Sequence, residues 1–461
     1  MSTYVIIIAA ALIIILSFIF NIISNKTNIP SVLMLIVLGV IIQLTIWSPN
    51  SEGGDSRLMM GLEILGNVGL IFIVLEAALD LKLRREKIGM IFKSFVVAFL
   101  ALILSSFAIA GLFMFLWYDN STINNVNWVT CLMYSVPLSI MSSAIIIPSV
   151  AKLIKQKKEF MIYESTFSDI LGIMFFYFLK DNRYVETAEQ VVKGVSLNIG
   201  ATVLIAILVS YLLVILFQKL QMQAKYFLMF SVLVLLYALG KMFHLSSLVI
   251  ILFFGLILNN SKIFFLGPLK KFSVGEKLKA SLHELHVITL ETAFVLRTFF
   301  FVVFGITISI SSLFDWHYGL MSLVIVCFLF IIRFVLLRIF SGKQITPQLW
   351  IAPRGLITVL LFFSIPNGWV DINGDLLEQY DFKYDCTIPF FDQGILLHTI
   401  ILTSLIMTIA LILNRGDKVK DVLLDSIKLK KNEHLIADKI EEALSIDQES
   451  KRDSDELKKS E

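Results

Sequence analysis

Residues 160–178 read FMIYESTFSDILGIMFFYF, and within this apolar run stand Glu164, Ser165, Ser168 and Asp169. At helical spacing, Glu164 or Ser165 shares a face with Ser168 and Asp169. Two hydroxyls and a carboxylate are hard oxygen ligands, suited to a proton or an alkali cation. A second interrupted run, LWIAPRGLITVLLFF at 349–363, sets Arg354 between Pro353 and Gly355. Proline and glycine there free backbone carbonyls just where a fixed cation sits. A third, CLMYSVPLSIMSSAIIIPSVAKL at 131–153, carries Pro137, Ser142, Ser143 and Pro148. A pair of Gly/Pro-interrupted apolar runs is the sequence pointer to a secondary transporter's binding site.

Other ionisable groups also fall where lipid should be, at a cost of at least about 2.5–3.5 kcal/mol each. They are Glu63, Glu76 and Asp80 in the run ending at 80, Glu291 and Arg297, Arg333, and His398. Asp80 reads as an interfacial acid beside Lys82 and Arg84, Glu291 and Arg338 as snorkelling groups, and His398 as a helix–helix hydrogen-bonding group. Glu76 and Arg297 lie deeper and need a partner or water.

The elements that hold these residues are membrane helices. The 461-residue chain is 57% hydrophobic and 16% charged, with a mean hydropathy of +0.84. Soluble chains are about 45–50% apolar and a quarter charged. Soluble enzymes and nucleic-acid binders are excluded, and a net charge of +3 argues for no polyanionic partner. Cys131, Cys327 and Cys386 form neither a CxxC nor a Cys–His pattern, so no disulfide framework or zinc site is expected. Among the six histidines no HExxH occurs, so a membrane-embedded hydrolase is disfavoured.

Thirteen apolar runs are long enough for spans: 4–24, 30–48, 58–80, 90–118, 127–151, 160–180, 192–218, 225–243, 246–266, 288–312, 318–340, 349–366 and 389–414. Lysine and arginine crowd alternate loops, which puts those loops in the cytoplasm, the N-terminus outside and the C-terminus inside. The loop 367–388 is acidic, as an external loop can be. Residues 1–414 thus form the transmembrane domain. Residues 415–461 form a charged cytoplasmic tail with a short amphipathic helix.

Four segments together resemble the sodium/proton exchanger branch of the monovalent cation/proton antiporter superfamily. YESTFSD is similar to its GES-hydrophobic-x-ND signature, PRGLITVLL to its late RG-containing helix, IFIVLEAALDLKL to its third span, and RTFFFVVFGI to its tenth. The resemblance implies an all-α polytopic fold of about thirteen helices, inverted repeats with two crossing broken helices, and a homodimer in a bilayer. It implies that Asp169 is the ion-binding carboxylate, that Ser165 is a ligating hydroxyl, and that Glu76 is an acid near the site. It implies a structural ion pair between Glu164 and Arg354, and Arg297 as the cation that stabilises the bundle. Two departures from the family bear on the ion ligands. Ser168 stands where the exchanger branch has Asn, and SSAIIIPSV stands where the family has TDPVAV, leaving Ser143, or Ser142, to supply a hydroxyl there.

The expected activity is exchange of one monovalent cation for one proton, with sodium preferred and lithium or potassium as alternatives. The ions are substrates, with no cofactor and no catalytic residues in the enzymatic sense. A bacterial inner membrane is the expected location and pH homeostasis the expected role. The rival reading is a sodium-coupled symporter of an organic anion, in which Arg297 or Arg354 would bind the substrate carboxylate.

Overall fold

In lipid every backbone polar group must be satisfied within the chain, and helices do this segment by segment. In the computed structural model, the described residues are 3–27, 29–45, 54–83, 85–117, 128–150, 153–181, 204–213, 215, 225–242, 247–264, 276–307, 315–342, 345–365, 391 and 393–413. Among them there are helices and no strand. We number the helices α1 (Thr3–Thr27), α2 (Ser31–Thr45), α3 (Gly54–Asp80), α4 (Ile88–Trp117), α5 (Trp128–Ser139), α6 (Ser143–Ser149) and α7 (Lys155–Asp181). Then come α8 (Leu204–Leu213), α9 (Lys225–Met242), α10 (Ser247–Asn259), α11 (Glu276–Thr307), α12 (Trp316–Ser341), α13 (Leu356–Phe363) and α14 (Gln393–Leu413). Each of the thirteen apolar runs carries helix over most of its described part, with 127–151 interrupted at 140–142 and 349–366 at 351–355. By length and composition, seven described units are able to cross a membrane: α1, α4, the α5–α6 pair, α7, α11, α12 and α14. Helices α2, α8, α9 and α10 are apolar but shorter. The acidic loop 367–388, the tail 415–461 and the side chain of Glu63 lie outside the described residues.

Local chemistry sets the helix ends. Asp315 caps α12, its Oδ1 accepting the His317 N–H at 3.0 Å, and that bond holds the Asp315 carboxyl below its usual range. Gly342 ends the same helix at φ 77°, a left-handed conformation that favours glycine.

The helices sort into two bundles. In the first, α11 packs on α2 and α3, α10 on α3 and α9, and α1 on α2. In the second, α4 packs on α5 and α7, and α12 on α4 and α14. Van der Waals contact drives helix association where lipid is as apolar as the side chains, so small residues mark the closest crossings. A Cβ on Gly39 would meet Val302 O at 2.3 Å, and one on Gly305 would meet Ile36 O at 2.4 Å, so α2 and α11 touch backbone to backbone. Helix α1 lies at the margin, with only 6% of its span buried, and presents Ile7, Ile8, Leu12 and Ile15 outward. The bundles meet through α3, α7, α10 and α13, where Gly66 of α3 faces the Leu360 side chain.

Candidate functional site

Two helices of the second bundle are broken, and the breaks lie against each other. The first break, 140–142, separates α5 from α6; the second, 351–355, separates a 3-10 turn (Gln348–Trp350) from α13. Ser142 N donates to Pro353 O at 3.0 Å. A Cβ on Gly355 would lie 2.6 Å from Ser142 Oγ, so glycine is what permits this approach. Broken helices strand carbonyls that would cost several kcal/mol each if left unpaired in a dry interior. Arg354 supplies the donors: its Nε bonds Leu138 O at 2.7 Å and its Nη1 bonds Ala352 O at 2.8 Å. Its backbone N–H donates to Thr403 Oγ1 on α14.

Helix α7 runs past this crossing with Ser168, Asp169 and Gly172 turned to it. Ser168 Oγ accepts from Met141 N at 3.0 Å, and Asp169 Oδ2 accepts from Ser143 N at 3.1 Å. One turn on, Gly172 admits Ile140, whose side chain would lie 2.3 Å from an added Cβ. Asp169 is 2% exposed, and its Oδ1 has no hydrogen-bond partner in the protein. A buried carboxylate with one oxygen unengaged is a site for a proton or a small cation. Ser143, not Ser142, faces this carboxyl; Ser142 instead packs on Gly355. Ser165 is fully buried, and its hydroxyl donates to Ile162 O within α7 at 3.2 Å. Among the described residues no group of three or more His, Cys, Asp or Glu gathers as a metal cluster.

The ion pair differs from the expectation. Glu164 faces Arg333 of α12, not Arg354: Nη1 to Oε1 is 2.6 Å and Nη2 to Oε2 is 3.1 Å, a bidentate pair with Glu164 fully buried. The same guanidinium donates to Leu349 O at 3.1 Å and Gln348 O at 3.0 Å, so it also satisfies the second broken element. Five donors in a planar fork allow both tasks, which a lysine could not perform. Arg354 is committed to carbonyls of the crossing, and its sequence position between Pro353 and Gly355 points it there. Arg333 was legible as a charge eight residues inside the end of α12, more than two turns from the interface, but nothing in one sequence names its partner.

Glu76 and Arg297 form a second ion pair, between α3 and α11 of the first bundle, in which Arg297 Nη2 alone donates to both carboxylate oxygens, at 2.9 and 3.0 Å. The acid expected at the ion site and the cation expected to stabilise a bundle are thus each other's partners. Both lie within Coulomb range of Asp169 across the bundle interface. Asp80 ends α3, and its Oδ1 meets His286 Nε2 at 2.8 Å. Glu291 and Arg338 are exposed. His398 bonds Gly394 O in its own helix and packs against Gly319 of α12, a helix–helix contact.

Three groups escaped sequence reasoning. Gly172, three residues past Asp169, is a helical glycine with no periodic signal. Asn259 and Asn260, ending α10, bond the end of α3: Asn260 Nδ2 donates to Leu81 O at 2.8 Å, and its Oδ1 accepts Leu83 N at 2.7 Å.

The sequence model of the family described as sodium/hydrogen exchanger, transmembrane, matches residues 9–413. A solved structure of the sodium proton antiporter MjNhaP1 from Methanocaldococcus jannaschii at pH 8 is similar, with a TM-score of 0.64 at 17% identity, over 90% of this chain and 99% of that one. An electron-microscopy structure of the same antiporter gives 0.60 at 18% identity, over 90% and 96%. No curated protein sequence matches this chain significantly.

Proposed function

This chain belongs to the transmembrane sodium/hydrogen exchanger family, and from that membership and the geometry at Asp169 we propose that it exchanges a monovalent cation for protons by alternating access. Sodium is the preferred cation, with lithium and potassium as alternatives. The observation that carries the reading is Asp169 Oδ1, buried beside the crossing of two broken helices and unengaged by the protein. An empty, ionised carboxylate passing through a dry gate would cost several kcal/mol. A bound proton or cation removes that charge, so only the occupied carrier crosses, and exchange is obligatory and reversible.

One carboxylate sets the stoichiometry. Ser168 carries no charge and is tied to Met141 N, and Glu164 is occupied by its pairing with Arg333 at 2.6 Å. One proton for one cation follows, and the cycle is electroneutral. Ser168, Ser165 and Ser143 are the oxygen ligands offered around Asp169, with Glu76 shaping the potential from the opposite bundle. The second bundle, bearing the site, moves against the first, which forms the scaffold of a homodimer. The basic loops face the cytoplasm, the N-terminus faces outward, and a bacterial inner membrane is the setting, with pH homeostasis as the role.

The organic-anion symporter requires a free arginine for its substrate. Arg297 is engaged by Glu76 and Arg354 by carbonyls, which weighs against it.

The test is collapse of an imposed pH gradient in proteoliposomes on adding sodium, lithium, potassium or choline. Wild-type protein should respond to an alkali cation and not to choline, without carrying current, and Asp169→Asn should be silent while remaining folded and monodisperse. A response that survives Asp169→Asn would overturn the assignment of the carrier group.

A further inference from the structure

At position 163 the resembled signature has glycine, whereas this chain has tyrosine. Tyr163 lies on α7, immediately before Glu164 and six residues before Asp169. Its side chain leaves the second bundle: Tyr163 Oη donates to Lys82 O, beyond the end of α3 in the first bundle, at 2.9 Å. We propose that this bond is a latch between the two bundles, which makes Tyr163 a positioning residue for the exchange cycle. The inference rests on the alternating-access reading above.

Both ends of the bond are anchored. On one side the neighbouring Glu164 is clamped to Arg333 in two hydrogen bonds, which fixes this turn of α7 in its bundle. On the other, Lys82 lies between Leu81 and Leu83, and Asn260 grips both, through Leu81 O and Leu83 N. Asn259 adds a bond to Leu81 O at 3.3 Å. The Lys82 carbonyl is therefore a rigid part of the first bundle rather than a free loop atom. With both ends fixed, the bond cannot follow a relative movement of the bundles. A displacement of about 1 Å carries it beyond hydrogen-bond distance. The bond lies between Asp169 and the Lys82 end of the bundle interface, so Asp169 cannot be opened towards that end without breaking it. It stabilises the arrangement seen here over the opposite one. Tyr163 is buried while Lys82 is exposed, and Tyr163→Phe keeps the packed ring, so removal of the hydroxyl should not unfold the protein.

The experiment compares wild type with Tyr163→Phe in oriented proteoliposomes, with sodium-driven collapse of the pH gradient measured from each face. Loss of one neutral hydrogen bond should shift the balance of the two end states by about 2- to 10-fold. The sodium KM should therefore rise at one face and fall at the other by that factor. The ratio of Vmax/KM between faces should stay unchanged, because no variant alters the overall equilibrium. Tyr237→Phe removes a bond to Asn67 within the first bundle and should leave the KM ratio alone. A readout independent of transport is amide hydrogen exchange over residues 79–83, which should quicken in Tyr163→Phe by a similar factor. Unchanged KM values at both faces, or unchanged amide exchange beside an active wild type, overturn the latch alone. A wild type that exchanges no alkali cation overturns the exchange reading and the latch with it, whereas amide exchange still reports whether the contact holds the bundles.

Discussion

Replacing Glu164 by Gln tests which arginine the buried acid serves. Arg333 is 4% exposed and Glu164 is fully buried. Neutralising the acid leaves a guanidinium in the interior without a counter-charge, held by one amide oxygen and the carbonyls of Gln348, Leu349 and Ile351. The amide of Gln turns a donor towards a donor, so one of the two bonds is also lost. Breaking a buried pair from one side costs about 3–5 kcal/mol. At about 2 °C per kcal/mol, the lower end of the range for sizeable domains, the melting midpoint of the detergent-solubilised protein should fall by about 6–10 °C. Removing the second charge should relieve much of this. The sulfurs of Met141 and Met161 line the Arg333 guanidinium at 2.9 and 3.7 Å, so a methionine at 333 fits its surroundings. Glu164→Gln with Arg333→Met should therefore melt several degrees above Glu164→Gln alone, though below wild type, since the Gln348 and Leu349 carbonyls lose their donor. Glu164→Gln with Arg354→Met should melt lower still, because Leu138 O and Ala352 O are then also stranded. Midpoints followed by fluorescence-detected size exclusion would decide it, and rescue by Arg354→Met instead of Arg333→Met would refute the pairing argued here.

Two further outcomes follow from the same geometry. Gly172→Ala drives a methyl into Ile140, which lies 2.3 Å from the added carbon. It should destabilise by about 1–3 kcal/mol and slow exchange about 10-fold or more, through misplacement of the amides that hold Ser168 and Asp169. Gly111→Ala, whose new carbon meets only Trp128 at 3.9 Å, should be benign. In the proposed exchange, with proton and cation competing for one carboxylate, the cation KM should rise about tenfold per pH unit below the pKa of Asp169. A log KM plot of slope −1 is expected there, and a slope of −2 would show a second titrating carboxylate.

Much of the molecule was legible from the chain alone. Lipid forbids unpaired backbone and penalises charge, so apolar runs had to be helices and each charge inside one marked a special position. That logic found Asp169, Glu164, Arg297, Arg333, Arg354 and both broken helices without any knowledge of their neighbours. It could not pair them. Which guanidinium reaches Glu164 depends on how α12 and the 351–355 break lie against α7, and residues 164 and 333 are far apart in sequence. Periodicity reports which face of a helix is polar, not what faces it. For the same reason Glu76 and Arg297 read as two separate sites until α3 and α11 were placed side by side. Gly172 was silent too, and Gly355 was legible only as a helix interruption, since a glycine's role here is the approach of another backbone or side chain. The Tyr163 hydroxyl had no visible purpose until the end of α3 was seen beside it. The sequence by itself determined which groups had to be compensated in a dry interior; the packing of the helices decided by whom, because compensation acts over a few ångströms in space and the chain records only order.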